Sequence, residues 1–206
     1  MFFEFLYWTV GRLIKWIFRL QPEGLENLPR HGVLLCPNHA SNWDPVLIGV
    51  CLPHNYHLRI MAKEALFHNK ALAWLIRKLG AFPVTRGTTD IQSVKTAMQV
   101  IKDGQNLLIF PEGTTIRNGL GYVDGLPPHA HSGIAVIGVR SGATLVPVFA
   151  DGPKKPFHKH RIIFGKPYTP VYTGRRGTSE EMQKIADDIL EEAYALGGQK
   201  VGGEPL

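Results

Sequence analysis

The stretch VLLCPNHASNWDP (residues 33–45) joins an apolar run to a polar turn. Its first part, Val33–Cys36, predicts a buried strand, which Pro37 ends because proline lacks the N–H that a central strand needs. Its last part, Asp44 followed by Pro45, is typical of an N-cap and the first position of a helix. The stretch therefore predicts a strand, a turn that carries His39 and a helix, which is the repeating unit of α/β domains.

The predicted turn separates a histidine from an aspartate by five residues. His39 as a neutral imidazole, oriented by the carboxylate of Asp44, has the composition of a general base. Five residues along a continuous helix correspond to about 500°, so the two side chains meet only if the chain turns between them. A purely structural interpretation also fits, in which Asp44 only caps the helix and His39 is a hydrogen-bonded group in a turn.

Strand-like and helix-like segments alternate along the rest of the chain. The predicted strands are Tyr56–Met61, Phe82–Thr85, Leu107–Phe110, Thr144–Ala150 and Arg161–Phe164. The predicted helices are Pro45–Cys51, Glu64–Leu79, Ile91–Lys102, Ser132–Arg140 and Ser179–Leu196. This alternation predicts an α/β domain over residues 23–196, with a mixed, largely parallel sheet flanked by helices. Residues 197–206 are predicted to form a flexible tail.

The composition and net charge of the chain indicate which classes of binding partner are expected. The 206 residues suit one domain with a sizeable core, and the formal net charge of +6 favours an acidic partner. That partner could be an anionic membrane, a phosphorylated substrate or nucleic acid. The sequence contains no basic block interleaved with stacking aromatics, so no nucleic-acid partner is expected. Cys36 and Cys51 both lie in apolar runs and are predicted to be buried free thiols.

Residues 1–22 form the most apolar segment and are predicted to be an amphipathic helix. Arg12, Lys15 and Arg19 are spaced i, i+3 and i+7, which places three cations on one helical face. The other faces carry aromatic and aliphatic residues of the kind found at membrane interfaces. Three cations favour a helix that lies in the interface of an anionic membrane over one that spans it. The alternative is a helix packed on the domain's own core.

Three further segments follow apolar runs and carry polar groups. They are GAFPVTR (residues 80–86), FPEGTT (residues 110–115) with Arg117 beyond it, and VPV (residues 146–148), whose internal proline suggests an edge strand or a local break. Ligands of open α/β sheets gather at the carboxyl ends of the strands. We therefore expect His39, Arg86, Glu112 and Arg117 to converge, with the two guanidinium groups suited to a phosphate. Gly113 would let the backbone approach a ligand closely.

Together these segments resemble the four motifs of the glycerolipid acyltransferase family, in the family's order, over roughly residues 23–170. His39 and Asp44 match its histidine–four residues–aspartate motif. GAFPVTR matches the second motif, FPEGT the third and VPV the fourth. Two positions depart from the family's pattern: Thr115 stands where an arginine is frequent, and Ala130-His131 where phenylalanine-lysine is frequent. One motif would be weak evidence, but four in series are specific.

The resemblance implies a glycerol-phosphate acyltransferase-like fold and a reaction. An acyl chain would pass from acyl-CoA or acyl carrier protein to the free sn-2 hydroxyl of 1-acyl-sn-glycerol-3-phosphate (lysophosphatidate), giving phosphatidic acid at the cytoplasmic face of the cell membrane. Neither a metal nor a bound cofactor is implied. His39 and Asp44 would be catalytic, and backbone N–H groups near Gly113 or Thr114 would stabilise the oxyanion. The substrate-binding residues implied are Arg86, Glu112, Gly113, Thr114 and Arg117.

Other functions remain open at the level of the sequence. A hydrolase would need Ser41 or Cys36 as its nucleophile, but both are close neighbours of His39 and there is no G-x-S-x-G turn. A metal-binding protein could use the pairs His129/His131 and His158/His160, which lack a third ligand at suitable spacing and are expected to be solvated loop histidines. A non-catalytic module could bind membranes through the N-terminal helix alone. If the protein is an acyltransferase, another glycerolipid or lysolipid could be the acceptor.

Overall fold

The computed structural model describes residues 2–84, 91–115, 129–202 and 206, with side chains from residue 9 onward. Its helices are α1 (Phe2–Ile17), α2 (Asp44–Cys51), α3 (Lys70–Lys78), α4 (Ile91–Lys102), α5 (Gly133–Ser141) and α6 (Ser179–Leu196). Its strands are β1 (Leu20–Glu23), β2 (Val33–Pro37), β3 (Leu58–Lys63), β4 (Ala81–Val84), β5 (Asn106–Leu108), β6 (Thr144–Ala150) and β7 (His160–Phe164). Short 3₁₀ turns lie at Leu25–Asn27 and Glu64–Phe67.

In these ranges the strands form one sheet in the order β1-β7-β6-β2-β5-β3-β4. The block from β6 to β4 is parallel throughout, whereas β7 runs antiparallel to β6 and β1 runs parallel to β7. β2 lies in the middle and every one of its residues is buried, as expected for a strand covered on both faces. The prediction of a mixed, largely parallel sheet flanked by helices is confirmed.

Alternate residues of β2 face two different helical layers. Leu34 and Cys36 pack in a cluster that includes residues of α4, α5 and α6. Val33 and Leu35 pack in a second cluster on the opposite face, together with Ile48 of α2 and residues near α3. α1 packs on the outside of α2. The first three helices therefore lie on one side of the sheet and the last three on the other.

The ends of β2 and β5 bring two loops together. Because these strands are parallel neighbours, the segments that follow them leave the sheet at the same edge. The side chain of Asn38 fixes the first loop to the end of β6: its Oδ1 accepts from the N–H of Ala150 at 2.7 Å and its Nδ2 donates to the C=O of the same residue at 3.1 Å. This edge is the position where the sequence predicted the functional site.

The N-terminal segment differs from the prediction of one helix over residues 1–22. α1 ends at Ile17, and Leu20–Glu23 form β1, which pairs with β7. Arg19 has a backbone φ of 40° and lies beyond the helix, so the predicted face of three cations retains two, Arg12 and Lys15. Among the described residues, none of the helices combines the length and hydropathy needed to cross a membrane.

Pro147 does not mark an edge strand. β6 lies between β2 and β7 in the interior of the sheet. The registered pairs with β7 end at Val148, and beyond them Gly165 still donates its N–H to the C=O of Pro147 at 2.9 Å. The missing N–H of Pro147 therefore falls where pairing with β7 stops, which is how an interior strand tolerates proline. The local break was predicted correctly, and the edge position was not.

Two further segments differ from the sequence-based expectation. The predicted helix Glu64–Leu79 is divided into a 3₁₀ turn and α3, because the Asn69 side chain caps α3 by accepting from the N–H groups of Ala71 and Leu72. The predicted flexible tail begins with packed residues: Gly197 lies against the ring of Phe149, and Val201 packs on the core cluster that contains α6.

Candidate active site

His39 follows β2 and lies against the loop that follows β5. Its residue surface is 8% exposed, and its ring stacks on Phe110 with a centroid separation of 3.8 Å and an interplanar angle of 23°. The backbone N–H of His39 donates to Oε2 of Glu112 at 3.0 Å. The ring is therefore fixed by stacking on one side, while the backbone is fixed by a carboxylate from the neighbouring loop.

Asp44 meets the histidine ring because the chain turns between them. Its Oδ2 lies 3.2 Å from Nδ1 of His39 and accepts from the N–H of Ser41 at 2.7 Å. Asp44 was predicted to cap a helix, but it is the first residue of α2, and the N-cap position is held by Trp43 without a side-chain bond. The carboxylate thus faces the histidine and the turn, and the capping interpretation is wrong.

This contact fixes the tautomer of the neutral imidazole. A carboxylate only accepts hydrogen bonds, so the proton lies on Nδ1 and leaves Nε2 of His39 as an acceptor. Oγ1 of Thr115 lies 2.9 Å from Nε2 and 3.0 Å from Oδ1 of Asn42. Because the hydroxyl has one proton, Thr115 donates to one of these acceptors at a time. A hydroxyl group therefore sits at the basic nitrogen of the histidine.

Glu112 is buried and is hydrogen-bonded to His39 and to α6. It is 4% exposed, and its two oxygens accept from the N–H of His39 and, at 2.7 Å, from the hydroxyl of Tyr194 in α6. Burial raises the pKa of Glu112 from 4.5 to about 7, while the bonds from Tyr194 and His39 oppose this rise and the charge of Asp44 adds to it. Each oxygen of Glu112 thus accepts one hydrogen bond from the protein, and contact of Glu112 with the substrate stays a prediction.

Replacing Glu112 by glutamine is expected to change how stability depends on pH. The folded protein holds a proton on Glu112 up to about pH 7 and the unfolded chain only to about 4.5, so the wild type loses stability as pH rises through this window. One pKa unit corresponds to about 1.4 kcal/mol, so the loss relative to Glu112→Gln is at most ~4 kcal/mol. Urea unfolding of both proteins near the two ends of the window measures it. A constant difference between them would contradict the pKa shift.

A buried lysine completes the surroundings of the aspartate. Nζ of Lys154 lies 3.5 Å from Oδ1 of Asp44, and both side chains are 0% exposed. Oδ1 has no hydrogen-bond partner among the described residues, so Lys154 is its charge partner there. Lys154 also donates to the C=O of Asp151. Burial lowers the pKa of Lys154, and the carboxylates of Asp44 and Asp151 and the thiol of Cys51 oppose this fall.

Gly113 is required by its backbone conformation and by a neighbouring ring. Its φ is 65°, and a Cβ there would lie 2.6 Å from the ring of His131. The N–H of Gly113 donates to the C=O of Phe110 at 3.1 Å, so it is already used within the turn. The next residue, Thr114, is exposed. His131, one of the two positions that depart from the family's pattern, therefore lies at the edge of this site.

These contacts describe a histidine whose basic nitrogen faces a hydroxyl and whose other nitrogen is bound to a buried aspartate. A comparison with known protein families covers the segments that supply these residues. A family model described as Acyltransferase matches residues 19–151, a range that contains the turn of His39, the loop of Glu112 and β6. The chain belongs to the acyltransferase family. It is accordingly an enzyme, an O-acyltransferase of lipid biosynthesis, and this prediction is confirmed.

Named relatives of the acyltransferase act on glycerolipids and related lipids. The 1-acyl-sn-glycerol-3-phosphate acyltransferase of Bacillus subtilis is 34% identical over 149 residues, which are 69% of this chain and 70% of that protein. The enzyme of the same name from Streptococcus pneumoniae is 28% identical over 178 residues, 84% of this chain and 62% of that protein. The lyso-ornithine lipid O-acyltransferase of Pseudomonas aeruginosa is 32% identical over 110 residues, 52% of this chain and 40% of that protein.

A solved structure supports the fold of the acyltransferase. The crystal structure of PlsC, the 1-acyl-sn-glycerophosphate acyltransferase of Thermotoga maritima, matches with a TM-score of 0.63 and 21% sequence identity. The match covers 92% of this chain and 80% of the other. The α/β architecture predicted from the alternation of strands and helices is therefore shared with a solved member of the family.

The groups proposed for a hydrolase are arranged unfavourably in the acyltransferase. Oγ of Ser41 accepts from the N–H of Trp43 at 3.3 Å, and Ser41 approaches Asp44 through its backbone rather than His39 through its hydroxyl. Cys36 is buried, its thiol donates to the C=O of Leu34, and burial raises its pKa, which keeps it protonated. Neither residue presents a nucleophile to the imidazole.

Of the four histidines predicted to be solvated loop residues, His129, His131 and His158 are exposed and His160 is buried. His160 is 5% exposed, opens β7, and its ring lies 6.2 Å from that of Phe18. His158 is exposed, with Nδ1 3.0 Å from the C=O of Pro156. Within the described ranges, no group of three or more histidine, cysteine or acidic side chains is arranged to hold a metal ion.

The structure brings together some of the predicted site residues and adds others. His39, Asp44, Glu112, Gly113 and Thr114 all lie at or beside one edge of the sheet. Arg86 and Arg117 lie outside the described residues. Sequence reasoning missed the contacts of Thr115, Asn42, Tyr194 and Lys154. Thr115 alone carried a signal, since it was the departure from the family's pattern that directly follows the third motif.

Proposed function

We propose that this acyltransferase transfers an acyl chain from a thioester to the sn-2 hydroxyl of 1-acyl-sn-glycerol-3-phosphate, giving phosphatidic acid. The observation that carries the proposal is the position of Nε2 of His39, which lies 2.9 Å from the hydroxyl oxygen of Thr115 while Nδ1 contacts Asp44. The names of the relatives from Bacillus subtilis and Streptococcus pneumoniae support the choice of acceptor. The donor is acyl-CoA or acyl carrier protein.

The proposed chemistry is direct transfer. Nε2 of His39 accepts the proton of the sn-2 hydroxyl as its oxygen attacks the thioester carbonyl, and Asp44 stabilises the imidazolium that forms. When the tetrahedral intermediate collapses, the C–S bond breaks and the imidazolium returns its proton to the thiolate. These steps balance in atoms and electrons without a redox group or a bound cofactor. Since the N–H of Gly113 is used by Phe110, the proposal assigns the oxyanion to the N–H of Thr114.

In this proposal Glu112 is a positioning residue. Its carboxylate holds the backbone N–H of His39 on one side and the hydroxyl of Tyr194 on the other. The acceptor's phosphate is assigned to Arg86 and Arg117, because guanidinium groups bind phosphate oxygens bidentately. Arg86 ends the second motif segment and Arg117 follows the third. His131, beside Gly113, adds a polar group on the acceptor's side.

In the proposed reaction the acceptor's hydroxyl binds Nε2 of His39 at the position that the Thr115 hydroxyl occupies in this structure. Replacing Thr115 by valine removes the competing hydroxyl at nearly the same volume, so the acceptor's KM is expected to fall. One hydrogen bond contributes about 0.5–1.5 kcal/mol net, which corresponds to a decrease of roughly twofold to tenfold. Initial rates at varied acceptor and donor measure both KM values, and Thr115→Ser is the control that keeps the hydroxyl. A higher acceptor KM in Thr115→Val would mean that Thr115 binds the acceptor instead.

A second acceptor is favoured by specific observations. The relative from Pseudomonas aeruginosa is named for a lyso-ornithine lipid, and Thr115 and His131 replace two cations that the family often carries near the acceptor's head group. Incubating the vesicle-bound enzyme with panels of lysolipids and acyl thioesters, and identifying products by mass, separates the two acceptors. Phosphatidic acid as the main product supports the proposal, and an acylated ornithine lipid would replace it.

Membrane association through α1 belongs to the same proposal. Val10, Leu13 and Trp16 of this helix are 42%, 53% and 67% exposed. Arg12 and Lys15 add positive charge to the same helix, which suits the surface of an anionic membrane. Both the lysolipid and its product reside in membranes, so we propose a peripheral or monotopic enzyme at the cytoplasmic face of the cell membrane.

A further inference from the structure

Helix α3 turns most of its large apolar side chains towards solvent. Leu72, Trp74, Leu75 and Leu79 are 38%, 59%, 46% and 44% exposed. The three leucines are spaced i, i+3 and i+7 and form one strip that ends at Leu79, the residue just after α3. Trp74 lies about 100° or more around the helix axis from this strip. Single exposed leucines need no explanation, but a contiguous group on one helix indicates an interaction surface.

The exposed leucines are additional to the residues through which α3 packs on the core of the domain. α3 packs on the domain through the side adjoining the strip, where Ala73 is 7% exposed and Ile76 packs on the second core cluster. The cap at Asn69 holds the first turn of the helix. The exposed strip is therefore presented by a helix that is already anchored, with its orientation fixed by packing.

The charge of α3 is entirely positive. Lys70, Arg77 and Lys78 lie within Lys70–Lys78, which contains no acidic residue. The guanidinium group of Arg77 lies 5.2 Å from the ring centre of Phe67, so this cation flanks apolar surface. Exposed apolar and aromatic side chains combined with lysine and arginine match the interface of an anionic bilayer, which offers hydrocarbon and negative charge together.

α3 and α1 expose such surfaces on the same side of the molecule. Both helices lie on the side of the sheet that α2 covers. On α1 the exposed group includes Trp16, whose ring contacts that of Phe157 at 5.7 Å, and Phe157 is itself 60% exposed. A bilayer is a partner wide enough to cover both helices at once, and tryptophan is the residue type enriched at its interface.

The two surfaces also flank the edge that carries the histidine. β1 runs against the parallel block, so the C-terminal end of α1 lies at the carboxyl edge of that block. There Phe18 contacts the ring of Trp43, in the turn that contains His39, at 5.6 Å. α3 begins shortly after the carboxyl end of β3. Contact through both helices would therefore hold this edge next to the bilayer.

We propose that α3 is a second membrane-binding surface, which acts with α1 to orient the catalytic edge towards anionic lipid. The proposal rests on the membrane association proposed above and adds to it a defined second contact. With α1 alone, the domain could rotate about the helix axis. With two separated contacts it takes one orientation, in which a lysolipid reaches His39 without leaving the membrane.

The test measures binding of the His39→Ala protein, whose turnover is expected to be low, to phosphatidylglycerol–phosphatidylcholine vesicles. The variant Leu72→Ser/Leu75→Ser/Leu79→Ser is expected to lower the partition coefficient at least about tenfold, because each leucine contributes buried apolar surface. Ile91→Ser/Val171→Ser is the matched control, since these residues are 61% and 84% exposed elsewhere. Replacing Arg77 and Lys78 by glutamine should cost about fivefold per charge, and only on anionic vesicles.

The possible outcomes distinguish the role of α3 in membrane binding from the role of α1, from docking of acyl carrier protein and from the proposed reaction. Unchanged binding of the leucine variant, beside a loss in Leu13→Ser/Trp16→Ser, overturns the role of α3 and leaves that of α1. If the leucine variant in the active background binds vesicles normally but shows a raised KM for acyl carrier protein, α3 docks the carrier and the proposal is wrong. Transfer to a short-chain, water-soluble acceptor tests the chemistry without a membrane, so failure there concerns the proposed reaction alone.

Discussion

Replacing His39 by alanine is expected to lower kcat about 10²–10⁴-fold, the range for loss of a general base. Alanine removes Nε2, the ring nitrogen that lies 2.9 Å from the hydroxyl oxygen of Thr115. It keeps the backbone N–H that donates to Glu112, so the loop should remain in place. Product formation from an acyl thioester and vesicle-dispersed lysophosphatidate measures the loss.

Two controls make the result specific to His39. His158→Ala removes an exposed histidine whose ring lies near only a local backbone carbonyl, and this change should leave kcat within about twofold of the wild type, as is usual for surface positions. Vesicle binding of His39→Ala should equal that of the wild type, because membrane contact is assigned to other helices. Near-normal turnover by His39→Ala would rule out the general-base mechanism.

Replacing Asp44 by alanine is expected to have two separable effects. It removes the group that orients His39, and it leaves the ammonium group of Lys154 buried beside an apolar methyl group. Breaking a buried ion pair by deleting one partner typically costs about 3–5 kcal/mol of stability. Asp44→Ala should therefore lose both activity and several kcal/mol of its free energy of unfolding.

The double variant Asp44→Ala/Lys154→Met distinguishes the two effects. Methionine fills much of the volume of the lysine stem without its charge, and replacing both members of a buried pair by apolar groups is often close to neutral. Urea unfolding should thus show most of the lost stability restored, while the rate of acyl transfer stays low. If stability is not restored, Lys154 is not held there as the partner of Asp44; if activity returns, Asp44 does not orient the base.

Local signals were enough to predict the framework of the site. A strand ended by Pro37, followed by a histidine and a helix start, could be inferred from neighbouring residues because each signal acts over a few positions. The parallel pairing of β2 and β5 then places Glu112 at the same edge as His39. What remained undecided locally was the direction of the carboxylates. Asp44 faces His39, as the general-base interpretation expected, and does not cap α2, whereas Glu112 accepts from the His39 N–H and the Tyr194 hydroxyl.

The remaining contacts depend on distance along the chain and on burial. Tyr194 meets Glu112 across 82 residues and Thr115 meets His39 across 76, and nothing in the local sequence pairs them. Lys154 belongs to a segment rich in proline and lysine that is typical of an exposed loop, yet its side chain is fully buried. Conversely, the leucines of α3 have the helical spacing expected of a buried face and are exposed.

The bond between Tyr194 and Glu112 has a consequence for synthesis. A nascent chain that has just completed Glu112 must be extended by 82 residues before Tyr194 exists, which takes roughly 4–16 s at about 5–20 residues per second. Until then the carboxylate that holds the backbone of His39 lacks its second partner. Translation order therefore delays assembly of the base, so that an incomplete polypeptide still on the ribosome is expected to carry little acyl-transfer activity.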